Sequence, residues 1–221
     1  LAITDSVNYD FDTGIESLSN INIIFDGDYK VNMDFSEGNF VGYLEIDPTF
    51  TVTSGNDGWF RDSNGDNVCS TASSSSSTTV LEPHVYGSPS SHIDCQVAYI
   101  EFPVSGFPSS VTVTDVALDF YVISVLTPDS CDVRPITSNQ PSTSSSQSIF
   151  TEIMGATDYT QLTECQSTGQ KSNMSLGSQA VSDFDNSITS GWFALGLKQD
   201  TDTVNANKIT TIASASHSTY D

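Results

Sequence analysis

Residues 116–123 alternate between Val116, Leu118, Phe120 and Val122 on one face and Ala117, Asp119, Tyr121 and Ile123 on the other. A period of two in β-branched and aromatic residues is the mark of a strand whose faces are used differently. A second strand is expected at 98–102 (AYIEF), with Pro103, Gly106 and Pro108 punctuating the bend between the two. These segments form the apolar centre on which a Ser/Thr-rich remainder can fold. The expected fold class is all-β: a jelly-roll-like antiparallel β-sandwich with an N-terminal β-meander extension.

Along the chain, Ile3, Val7, Tyr9 and Phe11 share one face of a solitary first strand. Ile21, Ile23 and Phe25 then precede an Asp26-Gly27-Asp28 turn, followed by Tyr29, Val31, Met33 and Phe35. Asp-Gly between alternating runs is a strong hairpin signal. With 40–46 (FVGYLEI) as a third strand, residues 1–47 read as an extension and 48–221 as the sandwich domain. Within the latter, strands are expected at 50–54, 78–87, 131–136, 192–197 and 208–214. Residues 56–58, 62–66 and the serine tract 73–77 read as loops, as do 137–148. Residues 149–165 have room for a short helical turn, and 182–192 read as a turn-rich approach to the strand after it.

Charge narrows the partners. Twenty-eight acidic residues against 6 basic ones leave a net charge of −22. Phosphate backbones and anionic membrane surfaces require the opposite sign, so neither nucleic acid nor membrane insertion is expected. No apolar run approaches the roughly 18 residues of a spanning helix. An acidic, lysine-poor surface suits salty surroundings or divalent cations, and equally serves to keep a secreted protein soluble.

Cys69, Cys95, Cys131 and Cys165 lack CxxC spacing and lie away from any histidine in sequence, which argues against zinc. An even count in a polar chain points to two disulfides and an oxidising, extracellular compartment. Three connectivities are possible. Cys69–Cys95 with Cys131–Cys165 is the expected one, because each bond then staples a neighbouring loop. Asn173-Met174-Ser175 is the N-glycosylation triplet.

Segments 98–102, Phe107-Pro108, 113–121, 131–136, 192–197 and 209–216 follow one another in an order similar to the DNRLRE, or disaggregatase-related, family of extracellular β-sandwich modules. The resemblance covers about residues 50–221. It implies the sandwich fold and a carbohydrate-binding character. Such modules continue past the last of these segments with a proline and one more strand, whereas this chain stops at His217–Asp221. A segment lacking its last strand exposes unpaired backbone. The strand at 1–11 is the right kind of element to fill that place in a neighbouring subunit by strand addition, unless it pairs within its own chain.

Among chemical candidates, Asp62, Asn64 and Asp66 have the oxygen spacing of a calcium loop, although Asn67 stands where an EF-hand needs Gly and Ser73 where it needs Glu. A solvated Asx-turn explains the same spacing. Asp183/Asp185 and Asp200/Asp202 are weaker pairs of the same kind. Glu45, Glu82, Glu101 and Glu152 read as solvent-facing strand positions without the opposed partner that glycoside hydrolysis requires. His84, His92 and His217 have no HExxH setting, and GxSxG is absent. Trp59, Tyr86, Tyr99 and Trp192 are the aromatic types that bind sugars, with Trp192 expected in the core.

The functional expectation is a non-enzymatic extracellular structural protein, a homopolymeric subunit of a surface filament, pilus-like fibre or coat. The alternative is a polysaccharide-binding or adhesion module of a larger secreted protein.

Overall fold

The alternating and apolar runs become strands in the computed structural model, which describes residues 24–26, 30–32, 55–64, 68–76, 80–88, 92–107, 113–200, 207–214 and 217. The chain divides into two units, residues 1–51 and 52–221. In the first, β1 (Ile24–Asp26) and β2 (Lys30–Asn32) pair antiparallel, with Phe25 opposite Val31. This is the hairpin expected from Asp-Gly. The expected strands at 1–11, 40–46 and 50–54 lie outside the described residues.

The second unit begins with β3 (Asn56–Asp62), β4 (Ser74–Ser76), β5 (Val80–Leu81), β6 (His84–Ser88) and β7 (His92–Pro103). Then come β8 (Ala117–Val125), β9 (Cys131–Ile136), helix α1 (Ser146–Gly155), β10 (Thr160–Leu162) and a 3-10 turn at Thr163–Gln166. The series ends with β11 (Gly169–Ser175), helix α2 (Gly177–Ser190), β12 (Trp192–Gln199) and β13 (Asn207–Ala213). The unit is all-β in character, sandwich-like, with its antiparallel sheet nearly closing into a barrel. One wall runs β10-β9-β12-β7-β3-β4, and the other runs β11-β8-β13 with β5 beyond. Strand β6 joins the walls, pairing with β7 through His84–Ser88 and with β13 through His84–Tyr86.

The expected strands at 98–102 and 116–123 both form, but they are not hydrogen-bonded to each other: β7 pairs with β12, β3 and β6, and β8 with β11 and β13. They meet through side chains instead. Leu118, Phe120 and Val122 of β8 share one buried cluster with Ala98 and Ile100 of β7, Phe193, Leu195 and Leu197 of β12, and Ile212 of β13. Burying that many large apolar side chains, at about 1.5–3 kcal/mol each, is what holds the two walls together.

Strand β12 shows how one short sequence serves two interfaces. Phe193, Leu195 and Leu197 enter the core between the walls, while the intervening Ala194 and Gly196 lie under α1. The helix covers that outer face with Ile149, Phe150 and Ile153, all fully buried. It starts at Ser145, whose hydroxyl accepts from the Ser148 amide at 3.2 Å, a conventional N-cap. Its C-terminal carbonyls are received by Arg134 of β9, whose Nη1 donates to Ile153 O (3.1 Å) and Met154 O (2.8 Å). A cation at a helix C-terminus is favoured by the helix dipole.

Some segments differ from expectation. Residues 56–58 are strand rather than loop, because β3 is fastened to β7 from Asn56↔Glu101 to Asp62↔Cys95. Ser74–Ser76 of the serine tract pair with Trp59–Arg61. The loop expected at 137–148 ends at Ser145, and 182–190 are helical rather than turn-rich. Helix α2 forms despite its Ser, Asp and Asn content, since Ala180, Phe184 and Ser187 bring one stripe into the core. Phe184 packs edge-on against Phe107 and tilted against Phe193, with centroids 5.2 Å apart in each case. The helix ends at Gly191, whose φ of 80° is the left-handed conformation glycine adopts without strain.

Both expected cysteine pairs are present. Cys69–Cys95 ties the loop after β3 to β7, and Cys131–Cys165 ties the start of β9 to the 3-10 turn.

A β-carbon on Gly196 would lie 2.5 Å from Ile153 Cγ1 and 2.8 Å from its Cγ2, whereas one on Gly106 would meet nothing within 4 Å. Gly196→Ala is therefore expected to destabilise the protein by about 1–3 kcal/mol, and Gly106→Ala to be near neutral. Thermal denaturation of the two variants beside the parent checks the pair.

Candidate functional site

The docking of α1 and the course of α2 leave a cleft of about 740 Å³ between them. Its floor is the end of β9 (Pro135, Ile136) and the start of β12 (Trp192, Phe193). One wall is the turn after α1, Ala156 to Asp158. The other is α2, which presents Gln179, Asp183, Asn186 and Ser190. Those spacings of four, three and four place the polar side chains on one helical stripe. Residues 180, 184 and 187, interleaved with them, carry the same helix into the core.

The polar groups of the cleft are pre-positioned by the protein itself. Asp183 Oδ2 accepts from the Tyr159 hydroxyl at 2.6 Å, and its Oδ1 accepts from Gln179 Nε2 at 3.1 Å. Burial first, and then the bond to Asp183, push the Tyr159 phenol well above its ordinary range, so it remains a neutral donor. Asp158 Oδ1 accepts from Arg134 Nε at 2.6 Å. Trp192 is half-buried: it packs against the α1 cluster and also lines the cleft. An apolar aromatic surface beside a few fixed polar groups is the usual composition of a small-molecule site.

Of the calcium candidates, Asp62 is fully buried and turned into its own loop. Its carboxylate accepts from the amides of Asn64 (3.2 Å), Ser70 (2.8 Å) and Thr71 (2.8 Å). Asn64 is exposed, and Asp66 lies outside the described residues. Among the described residues there is no cluster of three His, Cys, Asp or Glu side chains suited to a metal ion.

Two of the glutamates expected to face solvent are held by loop donors, and Glu101 among them is buried. Glu101 is buried and accepts from Gln140 Nε2 (2.7 Å), Ser142 N (2.8 Å) and Ser142 Oγ (2.9 Å). Glu152 accepts from the amides of Thr137 (2.7 Å), Ser138 (2.8 Å) and Asn139 (3.0 Å). The loop between β9 and α1 supplies these donors. Glu45 lies outside the described residues.

Among the aromatic candidates, Tyr99 is core, stacked on Phe60 with centroids 4.8 Å apart, and Trp59 is half-buried in β3. Trp192 was expected wholly in the core; the structure gives it the cleft as well. The polar stripe of α2 was missed. Its spacing is the signal that could have found it, had 177–190 been read with a period of 3.6 rather than by its Ser and Asp content.

Asn173 is exposed in β11, at a register shift between Lys171 and Met174, with φ 58°. Its neighbour Ser175 donates to Asp115 Oδ1 at 2.8 Å. Ile3, Val7, Tyr9 and Phe11 lie outside the described residues. Strand β13 has β8 on one edge and β6 and β5 on the other, so among the described residues no place stands open beside it. No described helix is long and apolar enough to cross a membrane. No protein-family model matches the chain, and no curated protein resembles it in sequence.

Away from the cleft, His84 is buried between two carboxylates, with Nδ1 3.5 Å from Glu82 Oε1 and Nε2 3.5 Å from Asp94 Oδ1. Arg61 also pairs with Asp94, its Nε donating to the same Oδ1 at 2.7 Å. Burial outweighs the pull of Asp94 and Glu82 and holds the imidazole below its ordinary pKa. The unfolded chain therefore takes up the proton first. The stability tied to neutral His84 is complete above the ordinary histidine value and is lost as the pH falls from there towards the folded value. His84→Gln is expected to flatten the melting temperature between pH 7 and 5 relative to the parent, as measured by thermal melts across that range.

Proposed function

We propose that this chain is a non-enzymatic carbohydrate-recognition module of an extracellular protein, with the α1–α2 cleft as its binding groove. The observation that carries the proposal is the partly buried Trp192 lining the cleft beside the polar stripe Gln179, Asp183, Asn186 and Ser190. A pyranose offers an apolar face of C–H groups and a rim of hydroxyls. An indole satisfies the first, and short oxygen and amide side chains satisfy the second. Asp158 and Asp183 are both held as acceptors by the protein's own donors, a setting suited to receiving hydroxyl protons rather than to acid catalysis.

The disulfides fit an oxidising compartment, which favours secretion. The reading also agrees with the carbohydrate-binding character implied by the family resemblance. The fibre-subunit reading depends on residues 1–11, which lie outside the described residues; the lining of the cleft is what favours sugar recognition. We place an N-glycan on Asn173, which is exposed and sits at an irregularity of edge strand β11.

Affinity electrophoresis in gels containing polysaccharide tests the groove. The parent is expected to be retarded, and Trp192→Ala to lose about thirtyfold in affinity, the cost of removing a dominant aromatic contact. Because Trp192 also packs on α1, Asn186→Ala serves as a second variant whose melting temperature should stay close to the parent while retardation weakens. Equal retardation of all three proteins would overturn the proposal. Secretion from a host with N-glycosylation machinery should add one endoglycosidase-sensitive mass increment that is lost in Asn173→Gln.

A further inference from the structure

Every formally charged residue lining the cleft is an acid, Asp158 or Asp183, and none of the lining residues is Lys, Arg or His. The nearest cation in the hydrogen-bond network is Arg134, and it is committed. Its Nε donates to Asp158 (2.6 Å), its Nη1 to Ile153 O (3.1 Å) and Met154 O (2.8 Å), and its Nη2 to Asp132 (3.3 Å). Four of the five donors of a guanidinium are thereby used, and the group is only 14% exposed.

From this geometry we infer that the cleft takes an uncharged, hydroxyl-rich glycan and rejects polyanionic ones, an inference that rests on the carbohydrate reading above. Carboxylates are acceptors only, so the ligand must bring donors, and sugar hydroxyls do so. Asp183 meets one protein donor at each oxygen, which leaves lone pairs for two more. Asn186 and Gln179 return both donors and acceptors to the ring oxygens and hydroxyls. A uronate or sulfate in the same place would face Asp183, for which the cleft lining supplies no cation, and Asp158, whose partner Arg134 already has four of its donors engaged, in a protein whose net charge is already −22. Its desolvation would go uncompensated.

The test is a panel of neutral polysaccharides (β-glucan, xylan, mannan) and acidic ones (alginate, polygalacturonate, heparin), run at low ionic strength where charge effects are largest. At least one neutral member is expected to bind, and every acidic member to bind at least tenfold more weakly. Ser190→Lys puts a cation at the rim in the last turn of α2, where the helix dipole favours it, and should raise affinity for an acidic member at least fivefold. Acidic binding by the parent that equals or exceeds neutral binding, and that is abolished by Trp192→Ala, would overturn the charge inference while leaving the groove in place. An absence of binding to both halves of the panel would overturn the groove and the inference together.

Discussion

Ile153 seated over Gly196 is the contact on which the working half of the molecule depends. A strand can accept a helix this closely only where its side chains are small, and β12 supplies Ala194 and Gly196 in alternation with Phe193, Leu195 and Leu197. One wall of the sandwich thereby becomes buried on both faces, between the opposing sheet and α1. Once the helix is down, its C-terminal carbonyls fall to Arg134, and the same guanidinium reaches on to Asp158. The turn that forms one side of the cleft is thus fixed by the packing of a glycine two strands' width from solvent.

The excess of acid, which a reading of composition assigns to the surface, is partly structural. Asp62, Glu101 and Glu152 each gather three or more backbone or side-chain donors from a loop that has no regular pairing of its own. Hydrogen bonds to a charged acceptor are stronger than neutral ones, and a buried carboxylate without such donors would be costly. Asp132 goes further: it lies buried against Lys198 at 3.2 Å, directly across the β9–β12 ladder. A buried pair of this kind contributes little net stability, yet removing one partner costs about 3–5 kcal/mol. Its effect is to set which residue of β9 stands beside which residue of β12. That register carries Ile136 and Trp192 to the cleft floor together.

Much of the architecture was legible because burial follows period. The strand at 117–125 shows the expected alternation of buried and exposed positions, and the apolar run from 192 proved to be a strand covered on both faces. The disulfide pairing was legible too, since short loops favour local bonds. What stayed hidden was polar structure held by distant partners. The Asn-Asp-Gly of β3 reads as a turn until β7 is placed beside it, and the serines of β4 read as a tract until β3 is. Helix α2 has weak local propensity and forms because Phe184 has a core to enter. The cleft was illegible for the same reason: its residues come from 135 to 193 and converge only after α1 and α2 are docked.

The location of Trp192 follows from these constraints. It is the first residue of β12, immediately after the left-handed Gly191 that ends α2. Its backbone is fixed from two sides, by the helix that stops there and by the ladder to Pro103 that begins there. Its side chain packs against the cluster that contains Ile149, Phe150 and Ile153, and it lines the cleft. A side chain held in this way loses little further conformational freedom when a ligand stacks on it, and that saving favours affinity. The α2 stripe is equally rigid, because Gln179, Asp183, Asn186 and Ser190 all stand on a helix whose adjacent stripe is locked into the core. Recognition groups carried on elements that the core already immobilises hold their geometry better than groups on loops. The core of the sandwich therefore serves the cleft by fixing its floor, its aromatic surface and its polar wall to elements that pack against it.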